Sequence, residues 1–176
     1  MELIQAVDPK RLEQMAQLYL RSFPKAERKP FELICNIREK GFGDMWSLEE
    51  NGMSVGLAIT VNYKDRLLLD YFAIEEEMQG KGYGSTAIQT LLQQYQGKKL
   101  IIEIESTKDQ AENSSERMRR KDFYHRNGFT DLGFSVDLFG VKMEMMSNQT
   151  GISFEEYLEV YVKAFGERMK EVVKKL

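Results

Sequence analysis

Apolar positions along the chain switch between a period of two and a period near 3.6, and each switch marks an element. Glu2 to Val7 reads as a first strand. Asp8-Pro9 is a helix start, since Asp accepts backbone N–H groups and Pro suits the first turn. Leu12, Met15, Ala16, Tyr19 and Phe23 then fall on one helical face, and Pro24 ends the run. Pro30 opens a second helix with Phe31, Ile34 and Cys35 inward, stopped by Gly41. Met45 to Leu48 and Ser54 to Tyr63 read as strands around Asn51-Gly52, a hairpin signal because both central residues of a type I′ turn need positive φ. Lys64-Asp65-Arg66 is a second turn, so three antiparallel strands precede position 75.

The run Leu67 to Ile74 is apolar and aromatic, broken only by Asp70, and suits a strand covered on both faces. Gly84, Ala87, Ile88, Leu91, Leu92 and Tyr95 form the single stripe of a following helix, capped by Gly97. Between strand and helix lies Gln79-Gly80-Lys81-Gly82-Tyr83-Gly84. Alternate glycines turn the backbone tightly and clear Cβ atoms from a close ligand. The first N–H groups of the helix lack intrahelical partners and sit at the positive end of its dipole. That combination suits phosphate or pyrophosphate. A Walker loop is excluded, because no Gly-Lys-Ser/Thr closes it. Gly80-x-Gly82-x-x-Ser85 comes near a dinucleotide fingerprint, but Glu75 to Gln79 intervene between strand and glycines.

Lys99 to Glu105 closes a strand–helix–strand unit. Leu100, Ile102 and Ile104 point one way, and Ile101, Glu103 and Glu105 the other. Two carboxylates on an otherwise apolar strand mean either that this face reaches solvent at the strand's end or that they line a pocket. Thr107 to Ser115 is polar and starts a helix made basic by Arg117, Arg119, Arg120, Lys121 and Arg126, and ended by Asn127-Gly128. Phe129 to Phe134 and Val136 to Met146 read as a final hairpin. Ser153-x-x-Glu156 is a capping box opening a long helix striped by Phe154, Tyr157, Leu158, Tyr161, Val162 and Phe165. This helix packs on the domain's own sheet or meets a second copy of the chain.

Composition narrows the class. The chain has 176 residues, 42% hydrophobic and 30% charged, which is the profile of one folded globular domain. A net charge of −3 argues against general nucleic-acid binding. One cysteine, Cys35, forbids an internal disulfide, and neither a leader-like segment nor a membrane-length apolar run is present, so a cytoplasmic protein is expected. His125 is the only histidine, which leaves no ligand cluster for a metal site.

Gln79-Gly80-Lys81-Gly82-Tyr83-Gly84, preceded by Ala73-Ile74 and a short polar loop, resembles the R/Q-x-x-G-x-G/A motif of GCN5-related N-acetyltransferases. Phe123-Tyr124-His125-Arg126-Asn127-Gly128-Phe129 resembles that family's second signature, at the expected separation. The resemblance covers Leu67 to Phe129 and implies a mixed α/β fold: a mostly antiparallel sheet of about six or seven strands with a splayed central pair, flanked by helices. It implies a domain over 1–148, with 149–176 as a helical extension. It further implies acetyl transfer from acetyl-CoA to a primary amine by direct attack in a ternary complex, with no metal. Phe72, Ala73, Ile74, Gln79, Gly80, Lys81, Gly82, Tyr83, Gly84 and Ser85 would hold acetyl-CoA. Tyr124 would protonate the leaving thiolate, and the connector Lys25 to Lys29 would border the acceptor pocket. Glu103 or Glu105, with Asp70 behind them, is the best general base among these residues.

One departure stands out. Where the family often carries an asparagine one helix-length before the tyrosine, this chain has Arg117, with Asn113 a turn earlier. Two other readings stay open: a non-catalytic acyl-CoA sensor of the same fold, and a nucleotide-dependent oxidoreductase using Gly80-x-Gly82-x-x-Ser85. The acceptor amine is open too, among polyamine, aminoglycoside, peptide and small metabolite.

Overall fold

The computed structural model describes residues 1–176, the side chain of Ala26 excepted. They fall into two compact units, one of residues 1–61 and 69–96, the other of residues 62–68 and 97–176.

The first unit begins with β1 (Glu2–Gln5), α1 (Pro9–Ser22) and α2 (Phe31–Glu39). Asp8 caps α1 by accepting from the N–H of Arg11 at 3.0 Å, as its sequence promised. Next come β2 (Gly43–Glu50), β3 (Met53–Tyr63) and β4 (Arg66–Ile74), then α3 (Tyr83–Gln94). β1 pairs antiparallel with β2, with Leu3 opposite Leu48. β2 and β3 form the expected hairpin, Asn51 and Gly52 both having positive φ (51° and 77°). Met15, Leu18 and Tyr19 of α1 and Ile34 of α2 pack on Met45, Leu57, Ile59 and Tyr71 of the strands, a core from which water is excluded. Gly56 is needed where β3 meets β4: a Cβ there would stand 2.4 Å from the carbonyl oxygen of Ala73.

The second unit holds β5 (Lys99–Glu105), α4 (Ser114–Arg126), β6 (Thr130–Leu138), β7 (Val141–Ser147), α5 (Phe154–Phe165), α6 (Met169–Val172) and β8 (Val173–Lys175). The N–H of Lys99, the first residue of β5, donates to the carbonyl of Asp65 at 2.8 Å. β5 pairs antiparallel with β7, β7 with β6, and β6 with β8. The strand order of the eight-stranded sheet is β1-β2-β3-β4-β5-β7-β6-β8, mixed in sense. α5 carries its capping box, and Glu156 and Glu159 on it bind the buried Arg66 at 2.7 and 2.9 Å.

Two expectations change. The final hairpin turns at Phe139-Gly140, both with positive φ (54° and 86°), later than its apolar pattern suggested. A bulge between Asp131 and Ser135 shifts the register of β6, which is why its period-two pattern is blurred. The last residues are also not all helix. Gly166 stops α5, and Val136 to Leu138 of β6 recruit Val173 to Lys175 as an eighth strand. Three residues are too few for a strand pattern to show in sequence.

Candidate active site

In the first unit, β4 delivers the glycine loop. The N–H of Glu75 donates to Val55 of β3 at 3.0 Å, and the Ala73 carbonyl also faces β3. Main-chain groups alternate sides along a strand, so Phe72 and Ile74 direct theirs away from β3. After a 3-10 turn at Glu76–Met78, the side-chain amide of Gln79 donates back to the Ile74 carbonyl at 3.0 Å and closes the loop. Gly80 (φ 73°) and Gly82 (φ 87°) are left-handed, and Gly82 is the N-cap of α3. A Cβ on either glycine would meet nothing within 4 Å, so the concave side of the loop is open. Residues 79–82 are exposed, and Tyr83, Gly84 and Ser85 present the first amides of a twelve-residue helix. Lys81 adds a cation beside them. The acidic run before the loop is no obstacle: Arg21 binds Glu75 at 2.9 and 3.0 Å, and Glu76 and Glu77 are exposed. The loop therefore fits a diphosphate.

Also in this unit, Asp70 lies two residues before Phe72 on β4. Its buried carboxylate meets the ammonium of Lys29, from the connector between α1 and α2, at 2.6 Å. Sequence patterns singled out both residues without pairing them.

In the second unit, Tyr124 sits in the last turn of α4, with Gly128 (φ 89°) ending the helix behind it. Its ring is 6% exposed and packs edge-on against Phe123 and Phe129. Among the described residues nothing bonds its hydroxyl. Burial pushes the phenol up to about 12, with Arg120 pulling slightly the other way.

The two β5 carboxylates have partners. Glu103 accepts from the hydroxyls of Tyr157 (2.5 Å) and Tyr161 (2.8 Å), both on α5. Glu105 is buried, so its face does not reach solvent. Its Oε1 meets Arg117 at 2.6 Å, and its Oε2 meets Arg120 and Asn113, each at 3.4 Å. Arg117 also donates to the Ser106 carbonyl at 3.0 Å. The arginine at the family's asparagine position thus ties α4 to the end of β5. Sequence reading missed the tyrosines as donors. The available signal was a pair of phenols, one turn apart in an apolar stripe, that needed an acceptor when buried.

A family model described as an acetyltransferase (GNAT) domain matches residues 41–131, just over half of the chain, and the chain belongs to this family. A GNAT-family acetyltransferase, so described, from Bacteroides thetaiotaomicron superposes with a TM-score of 0.75 at 18% identity, covering 94% of this chain and 97% of its own. The spermidine N-acetyltransferase of Vibrio cholerae, in complex with CoA and spermine, gives 0.62 at 16% identity, over 83% and 93% of the two chains. An aminoglycoside 6′-N-acetyltransferase complexed with coenzyme A gives 0.61 at 12%, over 84% and 96%. Comparison with curated proteins gave no match. The protein is an acetyltransferase whose acetyl donor is acetyl-CoA. Among the described residues no group of three or more His, Cys, Asp and Glu side chains is placed to hold a metal, and no helix is long and apolar enough to cross a membrane.

Proposed function

We propose that the protein acetylates a primary amine of a small molecule or peptide by direct attack of the amine on acetyl-CoA. The amides of Tyr83, Gly84 and Ser85, with Gly80, Lys81 and Gly82, bind the diphosphate. Main-chain groups of Phe72 and Ile74, directed away from β3, pair with the pantetheine arm as an added strand would, and Ala73 and Gln79 keep that segment in shape. One backbone N–H of this segment also stabilises the negative oxygen that develops during attack.

A free alkylamine has a pKa near 10.4, so almost all of it is protonated and unreactive at pH 7. Glu103 is proposed to take the amine proton, directly or through water. Of the two β5 carboxylates it is the one held by neutral phenols, whereas both oxygens of Glu105 face guanidinium groups. Glu105 is assigned to fastening α4. Tyr124 donates to the leaving thiolate: its phenol is protonated throughout the physiological range and has no competing partner among the described residues. The site of action is proposed to be the cytoplasm, where acetyl-CoA is supplied.

The observation that carries this reading is the open, exposed left-handed loop at Gly80 and Gly82, leading from the turn after β4 into the first amides of α3. Calorimetry with acetyl-CoA tests it. One site per chain is expected, and absence of binding would end the proposal.

A further inference from the structure

Lys29 is held at three points. Its N–H donates to the Tyr71 hydroxyl at 3.0 Å, its carbonyl accepts from the Tyr19 hydroxyl at 2.9 Å, and its ammonium donates to Asp70. The Tyr71 hydroxyl in turn donates to the Glu27 carbonyl at 2.9 Å. Two tyrosines therefore already fasten the connector by its backbone, and the ammonium is not needed for that. The ammonium also lies 5.1 Å from the centre of the Tyr71 ring, within range of its negative face.

The carboxylate is the unusual partner. Asp70 is 3% exposed at the side chain, on a strand where Leu67, Leu68, Leu69 and Tyr71 are buried, and Lys29 is its one ion-pair partner among the described residues. A charge in such a place is retained only when it is paired, and an apolar residue would serve packing as well. A carboxylate beside an aromatic face is chemistry that selects a primary ammonium over neutral or anionic groups. Asp70 shares its side of β4 with Phe72, the first residue of the segment assigned above to the acetyl-CoA arm.

We infer that Asp70 and the Tyr71 ring form an ammonium site that receives the acceptor amine, and that Lys29 fills it as a tethered ammonium until an acceptor displaces it. The inference rests on the acetyltransferase reading and narrows the acceptor to a cationic alkylamine.

The test replaces the tether by a free ligand. Lys29→Ala keeps the backbone bonds to Tyr19 and Tyr71 and removes the ammonium. n-Butylammonium, a free analogue of the lysine side chain, should then raise its melting temperature saturably, by about 3–6 °C at ten times the dissociation constant. Sodium at equal ionic strength and n-butanol should not, and Lys29→Ala/Asp70→Asn should not respond. Lys29→Ala should also form N-butylacetamide from acetyl-CoA at least about tenfold faster than the wild type, in line with removal of a competing occupant. No rise, or the same rise in the double variant, overturns the site. A rise with equal rates in wild type and Lys29→Ala overturns its assignment to the acceptor. Should Lys29→Ala not fold, Lys29→Met with ammonium chloride against sodium chloride carries the same readings. Acetyl-CoA calorimetry on the wild type, run alongside, distinguishes failure of this site from failure of the acetyltransferase reading.

Discussion

Tyr161 of α5 hydrogen-bonds both oxygens of Glu103 on β5, at 2.8 and 3.1 Å, and so ties the C-terminal helix to a strand of the second unit. Tyr157, one turn earlier, adds a third contact to the same carboxylate. Both rings are fully buried, so their hydroxyls would be costly to leave without an acceptor. Tyr161→Phe and Tyr157→Phe are each expected to lower unfolding free energy by about 1.5–3 kcal/mol, the range for hydrogen bonds to a charged group. Because they share a carboxylate, the double variant should lose less than the two single losses combined. Urea titration of the four proteins checks both statements, and strict additivity would contradict the shared-acceptor geometry.

The Arg117–Glu105 pair makes the converse case. Arg117→Met leaves Glu105 in a buried setting with only the longer contacts to Arg120 and Asn113. A loss of about 3 kcal/mol is expected, because an uncompensated charge remains. Arg117→Met with Glu105→Gln should recover part of it, since the charge is then gone. If Arg117 instead held acetyl-CoA, Arg117→Met would weaken acetyl-CoA binding without this stability loss.

Glu144 on β7 sets the acid limit. Burial alone would raise its carboxyl, but hydrogen bonds from Lys121 and Thr107 prevail and hold it below the ordinary 4.5. A depressed value stabilises the fold above the unfolded-state pKa, and that contribution is lost as pH falls through the folded value. Stability should therefore drop as pH is lowered below about 4.5, and Glu144→Gln should flatten the slope. Urea midpoints between pH 6 and pH 3 measure it.

Tyr124 supplies both a kinetic and an alkaline prediction. Tyr124→Phe should lower kcat by about 100-fold, the size of a lost proton donor, while acetyl-CoA affinity is kept. Equal turnover by the two proteins would remove Tyr124 from its role. Its pKa is raised in the folded state to about 12 from 10.0, so its contribution is full below pH 10 and lost as pH rises towards 12. Burial likewise raises Tyr19 and Tyr95, the latter with help from Asp44, so alkaline unfolding should coincide with a cooperative rise in phenolate absorbance above pH 10.

Much of this was legible in the sequence because it is local. Asp8-Pro9, Asn51-Gly52, the glycine loop and Ser153-x-x-Glu156 each settle their geometry within a few residues, and each stands where its pattern placed it. What escaped depends on long-range partners. Tyr157 meets Glu103 across fifty-four positions, Lys29 meets Asp70 across forty-one, and β8 exists only because β6 offers an edge. A period of two or 3.6 shows which side a residue faces and carries no information about what waits there. The two β5 carboxylates show the consequence: alternation placed them on one face, but the donors came from α4 and α5.

The central claim is that helix amides at Gly82 hold a diphosphate and so present the thioester. Calorimetric comparison of acetyl-CoA with acetylpantetheine, which carries the same thioester and lacks the diphosphate, tests it most directly. A single acetyl-CoA site per chain is expected, with binding of acetylpantetheine weaker by about 100-fold, roughly 2.7 kcal/mol. Equal affinity for the two compounds, or no heat with either, would contradict it.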